Sequence, residues 1–328
     1  MIHFDELFSS FTHIKVGVVG DVMLDTYWWG HVERISPEAP VPVVSVSHKE
    51  KRIGGAGNVA LNLSALKAVV HTISVLGNDD EANELTSLLQ QHHINTDYII
   101  RSEKRITTNK IRIISRNQHM MRLDAEMTRD INADEEERLI ASFLNYAATE
   151  KPHIIILEDY NKGVLTEKVI DRIIAISKAS GILVAVDPKR KNFFCYKEVD
   201  IFKPNLKEAK EALNIISEGV SAELLNEIHQ ALHQQLHHHA SFITLSEKGV
   251  YYQTENAHSW IPTHVRTIAD VSGAGDTVIA VASLAYAATR DLKIMAEMAN
   301  IAGGLVCEEV GTVAINKEKL LEECKRLM

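Results

Sequence analysis

Asp270-Val271-Ser272-Gly273-Ala274-Gly275-Asp276-Thr277, running directly into Val278-Ile279-Ala280-Val281-Ala282-Ser283-Leu284-Ala285, is the stretch whose reading decides the fold. Glycines on either side of an alanine let the backbone come close to a ligand, with successive N–H groups aimed outward. The apolar run behind them predicts a buried helix, so those N–H groups lie at its positive end and favour an anion. Asp276 enters on the first turn. A carboxylate there can take a proton from an attacking hydroxyl while the backbone stabilises a transferring phosphoryl group. An acidic residue on a first turn also suits the helix dipole by itself. The Gly-Ala-Gly directly before it favours the cradle reading, with Gly273, Ala274 and Gly275 as the anion hole and Asp276 as general base.

Outward from that stretch, strand-like runs alternate with helical patterns. Ile14–Val19, His71–Leu76, His153–Leu157, Leu183–Val186 and Phe242–Leu245 are short and almost continuously apolar, as suits parallel strands buried on both faces. Helical periodicity falls at 57–67, 80–92, 133–148, 166–180, 206–214 and 221–236. The alternation predicts right-handed βαβ units and a doubly wound, mostly parallel α/β sheet flanked by helices. Ligands in such sheets bind outside the carboxyl ends of the strands, where Gly20-Asp21, Asp159 and Asp187 fall.

Two segments break the pattern. Residues 38–53 follow or contain Pro37, Pro40 and Pro42 and then alternate through Val43-Val44-Ser45-Val46-Ser47. Residues 107–124 carry two strand-like runs separated by Asn117-Gln118-His119, which reads as a hairpin. Together they predict a small inserted β-sheet lying over the site as a lid, with an apolar outer face offering a homodimer surface. Internal repeats and low-complexity linkers are absent, so the expected organisation is one domain over 1–328 with the lid inserted.

The 328 residues are 45% hydrophobic and 24% charged, ordinary for a protein with a substantial core. A net charge of −9 argues against nucleic acid or an anionic membrane surface as partner, so substrate phosphates must be met by local basic groups. Cys195, Cys307 and Cys324 are scattered and lack metal-type spacing, which fits a reducing compartment. An acidic pair, Asp5-Glu6, stands where a signal peptide carries basic residues, and no apolar run reaches the roughly 18 residues of a membrane span. The expectation is a cytoplasmic, globular protein.

With Gly54-Gly55-Ala56-Gly57-Asn58-Val59-Ala60 opening a helix, and the Asp270–Asp276 stretch following in order, the chain resembles the ribokinase-like, or PfkB-type, carbohydrate kinases. Gly20-Asp21-Val22-Met23-Leu24-Asp25 and Arg34-Ile35-Ser36-Pro37-Glu38-Ala39-Pro40-Val41-Pro42-Val43-Val44 narrow this to a resemblance to bacterial heptose-7-phosphate kinases, over essentially the whole chain. Such kinases phosphorylate D-glycero-D-manno-heptose 7-phosphate at O1 for ADP-heptose synthesis, and many carry a C-terminal nucleotidyltransferase; this chain looks like the monofunctional form. Two departures stand out. Val271-Ser272 occupies the place of two threonines common in the family, and Gly57 stands where related heptose kinases often have alanine.

The resemblance implies ATP as co-substrate, Mg²⁺, and room for a monovalent cation near Asp270 that the residues themselves do not show. It implies that Asp21 and Asp25 bind sugar hydroxyls, although Gly-Asp is also a common turn pair. Gly54, Gly55 and Asn58 would let the helix start approach the sugar; Asn58 reads equally as a cap. Asn205 and Glu208 have capping-pair spacing, and in the family the matching pair holds nucleotide phosphates and magnesium-bound waters, roles that can coexist. Thr244, Ser246 and Gly249 resemble the nucleotide-side loop, and Asn300 either flanks the adenine or is an ordinary helix asparagine. Lys110, Arg112, Arg122 and Lys189 are the candidates to hold the substrate phosphate, only some of them in contact, since edge-strand cations are commonly solvated gatekeepers. His229, His233 and His237, beside His238 and His239, share a helix face that reads as solvated. The competing functions are a kinase for another sugar, such as ribose or fructose 1-phosphate, and a non-catalytic sugar-phosphate or nucleotide sensor. A sensor has no need of Asp276. A dinucleotide oxidoreductase is disfavoured because Gly17-Val18-Val19-Gly20-Asp21 lacks the Gly-x-Gly-x-x-Gly turn.

Overall fold

In a computed structural model that describes residues 3–116, 118–264 and 266–328, the chain enters through helix α1 (Phe4–Ser10). Strands β1 (Lys15–Gly20), β2 (Val22–Ile35) and β3 (Pro42–Gly55) lead into α2 (Ala56–Ala65). Then come β4 (Val69–Gly77), α3 (Asp80–Gln91), β5 (Asn95–Ser102), β6 (Asn109–Ser115) and β7 (Gln118–Ala125). Next are α4 (Ala133–Glu150), β8 (Ile154–Glu158), α5 (Glu167–Ala179), β9 (Leu183–Asp187), β10 (Ile201–Phe202), α6 (Leu206–Ala212) and α7 (Ala222–Leu236). The chain closes with β11 (Ala240–Thr244), β12 (Val250–Gln253), β13 (His258–Ile261), α8 (Ala274–Thr289), α9 (Leu292–Val306) and α10 (Lys317–Leu327).

The large sheet has the order β13-β12-β11-β10-β9-β8-β1-β4-β5. It is parallel from β5 to β11, with β12 and β13 added antiparallel at one edge. The order reverses at β1, so a crevice is expected outside its carboxyl end. The apolar runs are continuous because both faces are covered. Val16, Val18, Ile154 and Ile156 face a core shared with α2, α8 and α9, while Val19, Ile155 and Leu157 face one shared with α4, α5 and α7. Every residue from Asp276 to Tyr286 in α8 is buried, which explains a sequence with no polar face. Among the described residues no helix is long and apolar enough to cross a membrane.

A separate four-stranded sheet, β3-β2-β6-β7, forms where lid segments 38–53 and 107–124 were expected. Its turn residue Asn117 lies outside the described residues. The sheet is larger than expected. Residues 22–35, read as turn and motif, form the long strand β2, which pairs antiparallel with β3 and parallel with β6. Because β2 follows β1 after Asp21 alone, and β3 runs into α2, this sheet is tied to the carboxyl edge of the large one. Its face exposes Val46, Met121 and Leu123.

Candidate active site

Asp276 sits on the first turn of α8, and its side chain is buried. Its Oδ2 accepts from Asn58 Nδ2 of α2 at 2.7 Å, and its Oδ1 accepts from the Tyr160 hydroxyl, in the loop after β8, at 2.6 Å. Burial pushes its pKa up to about 6, and these two donors limit the rise. A carboxylate in that range is ionised at neutral pH yet more basic than a solvated one, which suits proton abstraction from a hydroxyl. Asn62, one turn beyond Asn58, braces the pair: its Oδ1 accepts from Thr277 Oγ1 and from the Ile315 N–H, each at 3.0 Å.

Gly273 precedes α8 with φ +76°, and a Cβ there would lie 2.9 Å from Asn58 Nδ2. A side chain would therefore be strained by the backbone and would press on the donor that fixes Asp276. A Cβ at Gly275 would meet nothing within 4 Å. The first turn of α8 thus opens into free space at Gly275; of the N–H groups that a helix start leaves without intrahelical partners, that of Ala274 donates to the Val271 carbonyl at 3.3 Å. Asp270 shapes the approach. Its Oδ1 accepts from the Ser272 N–H and hydroxyl, and its Oδ2 from Gly311 N–H at 3.0 Å. Burial raises its pKa less than these bonds lower it, so it stays below the usual carboxylate range.

A row of charges lines the carboxyl ends of β8 to β10. Buried Lys203 pairs with Asp187 at 2.7 Å, and Lys189 bridges Asp187 at 3.2 Å and Glu208 at 2.9 Å. Burial alone would raise Asp187; the two lysines overcome it and hold the carboxyl low. Asn205 and Glu208 form a complete capping box on α6, with both reciprocal bonds at 2.8 Å. Glu208 therefore has each oxygen engaged once, leaving lone pairs for a water. That donor set fits Mg²⁺ held through water and phosphate. Among the described residues no group of three or more His, Cys, Asp or Glu is arranged to hold a metal directly. Glu158, at the end of β8, is fully buried with neither carboxyl oxygen hydrogen-bonded among the described residues. Burial, then the charges of Asp187 and Asp276, push its pKa well up.

The small sheet supplies the opposite side. Asp25 on β2 receives Arg112 Nη1 of β6 at 2.5 Å, and a Cβ at Gly54 would lie 2.5 Å from Asp25 Oδ2. Gly55 has φ +58° and ψ −138°, and a Cβ there would strike the Asp21 carbonyl at 2.4 Å. The guanidiniums of Arg112 and Arg52 lie 5.3 and 4.8 Å from the Tyr27 ring centroid. Arg52, not singled out in the sequence, also donates to the Thr312 carbonyl at 3.4 Å, linking β3 to the segment that closes around Asp270.

Several of the expected site residues have partners within the protein. Asp21 is occupied by backbone: its carboxylate accepts from the N–H groups of Tyr160, Lys162 and Val164 at 3.0, 3.0 and 3.1 Å. These are long-range partners, not the local bonds of a Gly-Asp turn. Lys110 pairs with Asp124 and Glu126, and Arg122 forks onto Asp124. Lys189 pairs with Glu208 because β9 delivers it beside α6. The nucleotide-side residues come together in part. Thr244 bridges to Asn205 across adjacent segments, and Ser246 and Gly249 close a tight turn through the Gly249 N–H to the Ser246 carbonyl at 3.1 Å. Asn300 donates to the Pro262 carbonyl at 2.9 Å, holding the segment after β13.

The solvated reading of the histidines is corrected in part: His237 and His239 are exposed and His233 is half-buried, but two are not. His229 and His238 are buried and converge on the Ser241 hydroxyl at 2.9 and 2.6 Å, while His233 bonds the His238 carbonyl. Ser241 lies on β11, so helical spacing alone could not reveal it. Sequence reasoning also passed over Tyr160, Asn62, Thr277, Glu158 and Lys203. Three of them share a positional signal, since Glu158 ends β8 and Tyr160 and Lys203 follow apolar strands at the carboxyl edge, whereas Asn62 and Thr277 lie one turn and one residue beyond motif residues Asn58 and Asp276.

Residues 13–319 match the model of the pfkB family of carbohydrate kinases. The protein named bifunctional protein HldE from Aliarcobacter butzleri (strain RM4018) is 41% identical over 307 residues, covering 93% of this chain and 63% of that relative. The HldE of Methylobacillus flagellatus is 41% identical over 325 residues, covering 97% of this chain and 65% of the relative. The chain thus spans under two thirds of these relatives. Among solved structures, phosphofructokinase-2 from Escherichia coli in complex with potassium superposes with a TM-score of 0.78 at 18% identity, over 95% of this chain and 99% of that one. Arabidopsis thaliana ribokinase complexed with ribose and ATP gives 0.72 at 17%, over 94% and 98%. At such identities these two speak to the fold.

Proposed function

The chain belongs to the pfkB family of carbohydrate kinases, and we propose that it transfers the γ-phosphoryl group of ATP to O1 of D-glycero-D-manno-heptose 7-phosphate, giving the 1,7-bisphosphate. The observation that carries the kinase chemistry is the placement of Asp276: buried, ionisable near neutrality and beside the open first turn of α8. In this reading Asp276 takes the proton of the anomeric hydroxyl as its oxygen attacks the phosphorus. The N–H groups of Gly273, Ala274 and Gly275 then meet the charge on the transferring phosphoryl oxygens. Transfer of this kind is largely dissociative, so positioning and charge neutralisation carry most of the rate.

Asn205 and Glu208, with Lys189, are assigned to the nucleotide phosphates, and Glu208 to Mg²⁺ through water. Bound there, Mg²⁺ supplies charge neutralisation between the phosphates. Thr244, Ser246 and Gly249 border the nucleotide, and a monovalent cation near Asp270 belongs to the same assignment. On the sugar side, Asp25 and Arg112 face the polyol and its phosphate, with Arg52 as a further cation. The heptose assignment is supported by the HldE relatives, and a homodimer through the small sheet by its exposed Val46, Met121 and Leu123.

ADP release with Mg²⁺-ATP, measured across heptose 7-phosphate, fructose 1-phosphate, fructose 6-phosphate and ribose, tests both levels. Turnover confined to the heptose phosphate supports the full reading; turnover confined to another sugar keeps the mechanism and discards the substrate. Asp276→Asn is expected to lower turnover roughly 10²–10⁴-fold while ATP binding persists.

A further inference from the structure

We propose, resting on the reading of Asp276 as base, that Tyr160 is a positioning residue for that carboxylate: its hydroxyl holds Oδ1 in orientation and sets how strongly the group draws the acceptor's proton. Three observations place it there. The Tyr160 hydroxyl lies 2.6 Å from Oδ1 while Asn58 holds Oδ2, so the carboxylate plane is gripped at both ends. Each oxygen still has a lone pair for the acceptor hydroxyl. The loop bearing Tyr160 is itself anchored, because Asp21 accepts the Tyr160 and Lys162 N–H groups, each at 3.0 Å. The ring is also flanked by Lys189, whose Nζ lies 5.7 Å from its centroid, so Tyr160 stands between the base and the phosphate-side cation. The role of Asp21 follows: it acts on the base through the loop it ties down.

The phenol stays a donor. Burial first, then the charges of Asp276 and Glu158, drive its own ionisation well above the ordinary tyrosine range. The groups facing Asp276 are Tyr160 and Glu158 from β8 and its loop, Asp187 from β9, Lys203 after β10, and uncharged Asn58 from α2. Within that set Tyr160 and Asn58 donate directly to the carboxylate, and Tyr160 alone does so through a hydroxyl that can be deleted with the ring left in place.

The test is the pH profile of kcat/KM for the sugar phosphate in Tyr160→Phe, with a thermal melt and the KM for ATP alongside. The acidic limb, expected near pH 6 in the parent, should move up by about one pH unit, because a hydrogen bond to a charged group is lost. Activity should recover above the new limb, with KM for ATP unchanged. Replacing Tyr160 with 3-fluorotyrosine, a stronger donor, should move the limb down. An unmoved limb in both variants, whatever their kcat, overturns the assignment, since a packing role would lower activity at all pH values alike. Asp276→Asn run in parallel separates the two readings. Asp276→Asn turnover within about ten-fold of the parent defeats the base itself, whereas an Asp276→Asn slowed by roughly 10²–10⁴-fold with unshifted Tyr160 profiles defeats only this inference.

Discussion

Asn58 and Asp276 are 218 positions apart in the chain and 2.7 Å apart in space, amide nitrogen to carboxylate oxygen. The contact joins the two glycine-bearing motifs into one device: α2, which starts just after Gly54-Gly55, fixes the base on the first turn of the buried helix α8. Replacing Asn58 by Ala removes a donor to a charged group in a buried site. A fall in kcat/KM of about ten- to a hundred-fold is expected. Steady-state kinetics check it, and a variant within two-fold of the parent would remove Asn58 from the site.

The two glycines of the α8 turn should respond oppositely to alanine. Gly273→Ala meets a strained φ and the Asn58 side chain, so it should lower the thermal midpoint and activity together. Gly275→Ala meets empty space and lies within a helix, so the fold should be unharmed or stabilised by about 0.5–1 kcal/mol. Its methyl group would still stand where a phosphate is assigned, and KM for ATP should rise. Melting curves and ATP kinetics on both variants decide the matter.

Arg112 and Arg122 are cross-strand partners on β6 and β7, yet only Arg112 reaches Asp25. Arg112→Met should raise KM for the sugar phosphate by about ten-fold or more and leave KM for ATP unchanged. Arg122, exposed and already forked onto Asp124, should change either constant by less than about two-fold when made Met. Equal effects from the two substitutions would contradict the placement of the sugar phosphate beside Asp25.

Glu158 binds its proton more tightly folded than unfolded, because burial, then the charges of Asp187 and Asp276, disfavour its charge. A carboxyl raised in this way favours the folded state below its ordinary value of 4.5 and opposes it increasingly as pH climbs toward the raised value. Glu158→Gln removes that term. Urea denaturation should show the stability difference between Gln variant and parent moving in favour of Gln from pH 4 to pH 8.

His229 and His238 carry the opposite sign. Burial pushes their pKa values down from 6.5, to about 4 and about 3, so between those lowered values and 6.5 the unfolded chain binds more protons than the folded one. Stability present above pH 6.5 should be lost as pH falls through 6 toward 4. A His238→Gln variant should show a flatter decline in thermal midpoint over that interval.

Much of this architecture was legible because it is encoded locally. The helix behind Asp276 announced itself as a run without a polar face, and α6 as an asparagine three residues before a glutamate. The long strand β2 was not legible. Its residues resemble a turn followed by a motif, and its pairing with β6 joins Leu24 to Asn109, a contact no local window contains. The histidine reading failed in part for a related reason: helical spacing says which side chains share a side, and only the arrival of Ser241 says that His229 and His238 are buried while His237 stays exposed.

Asp21 and Asp276 mark the boundary between the two kinds of information. The sequence by itself determined that Asp21 follows the first apolar strand at its carboxyl end, where a doubly wound sheet gathers its ligands, and that Asp276 opens an apolar helix after a glycine-rich turn suited to phosphate. Only the tertiary structure decided their partners. Asp21 faces the backbone N–H groups of the loop after β8, whereas Asp276 faces a phenol and an amide brought in from distant segments. The physical reason is that a buried carboxylate's behaviour is set by the donors and charges within a few ångströms, and chain folding, not chain order, chooses which those are.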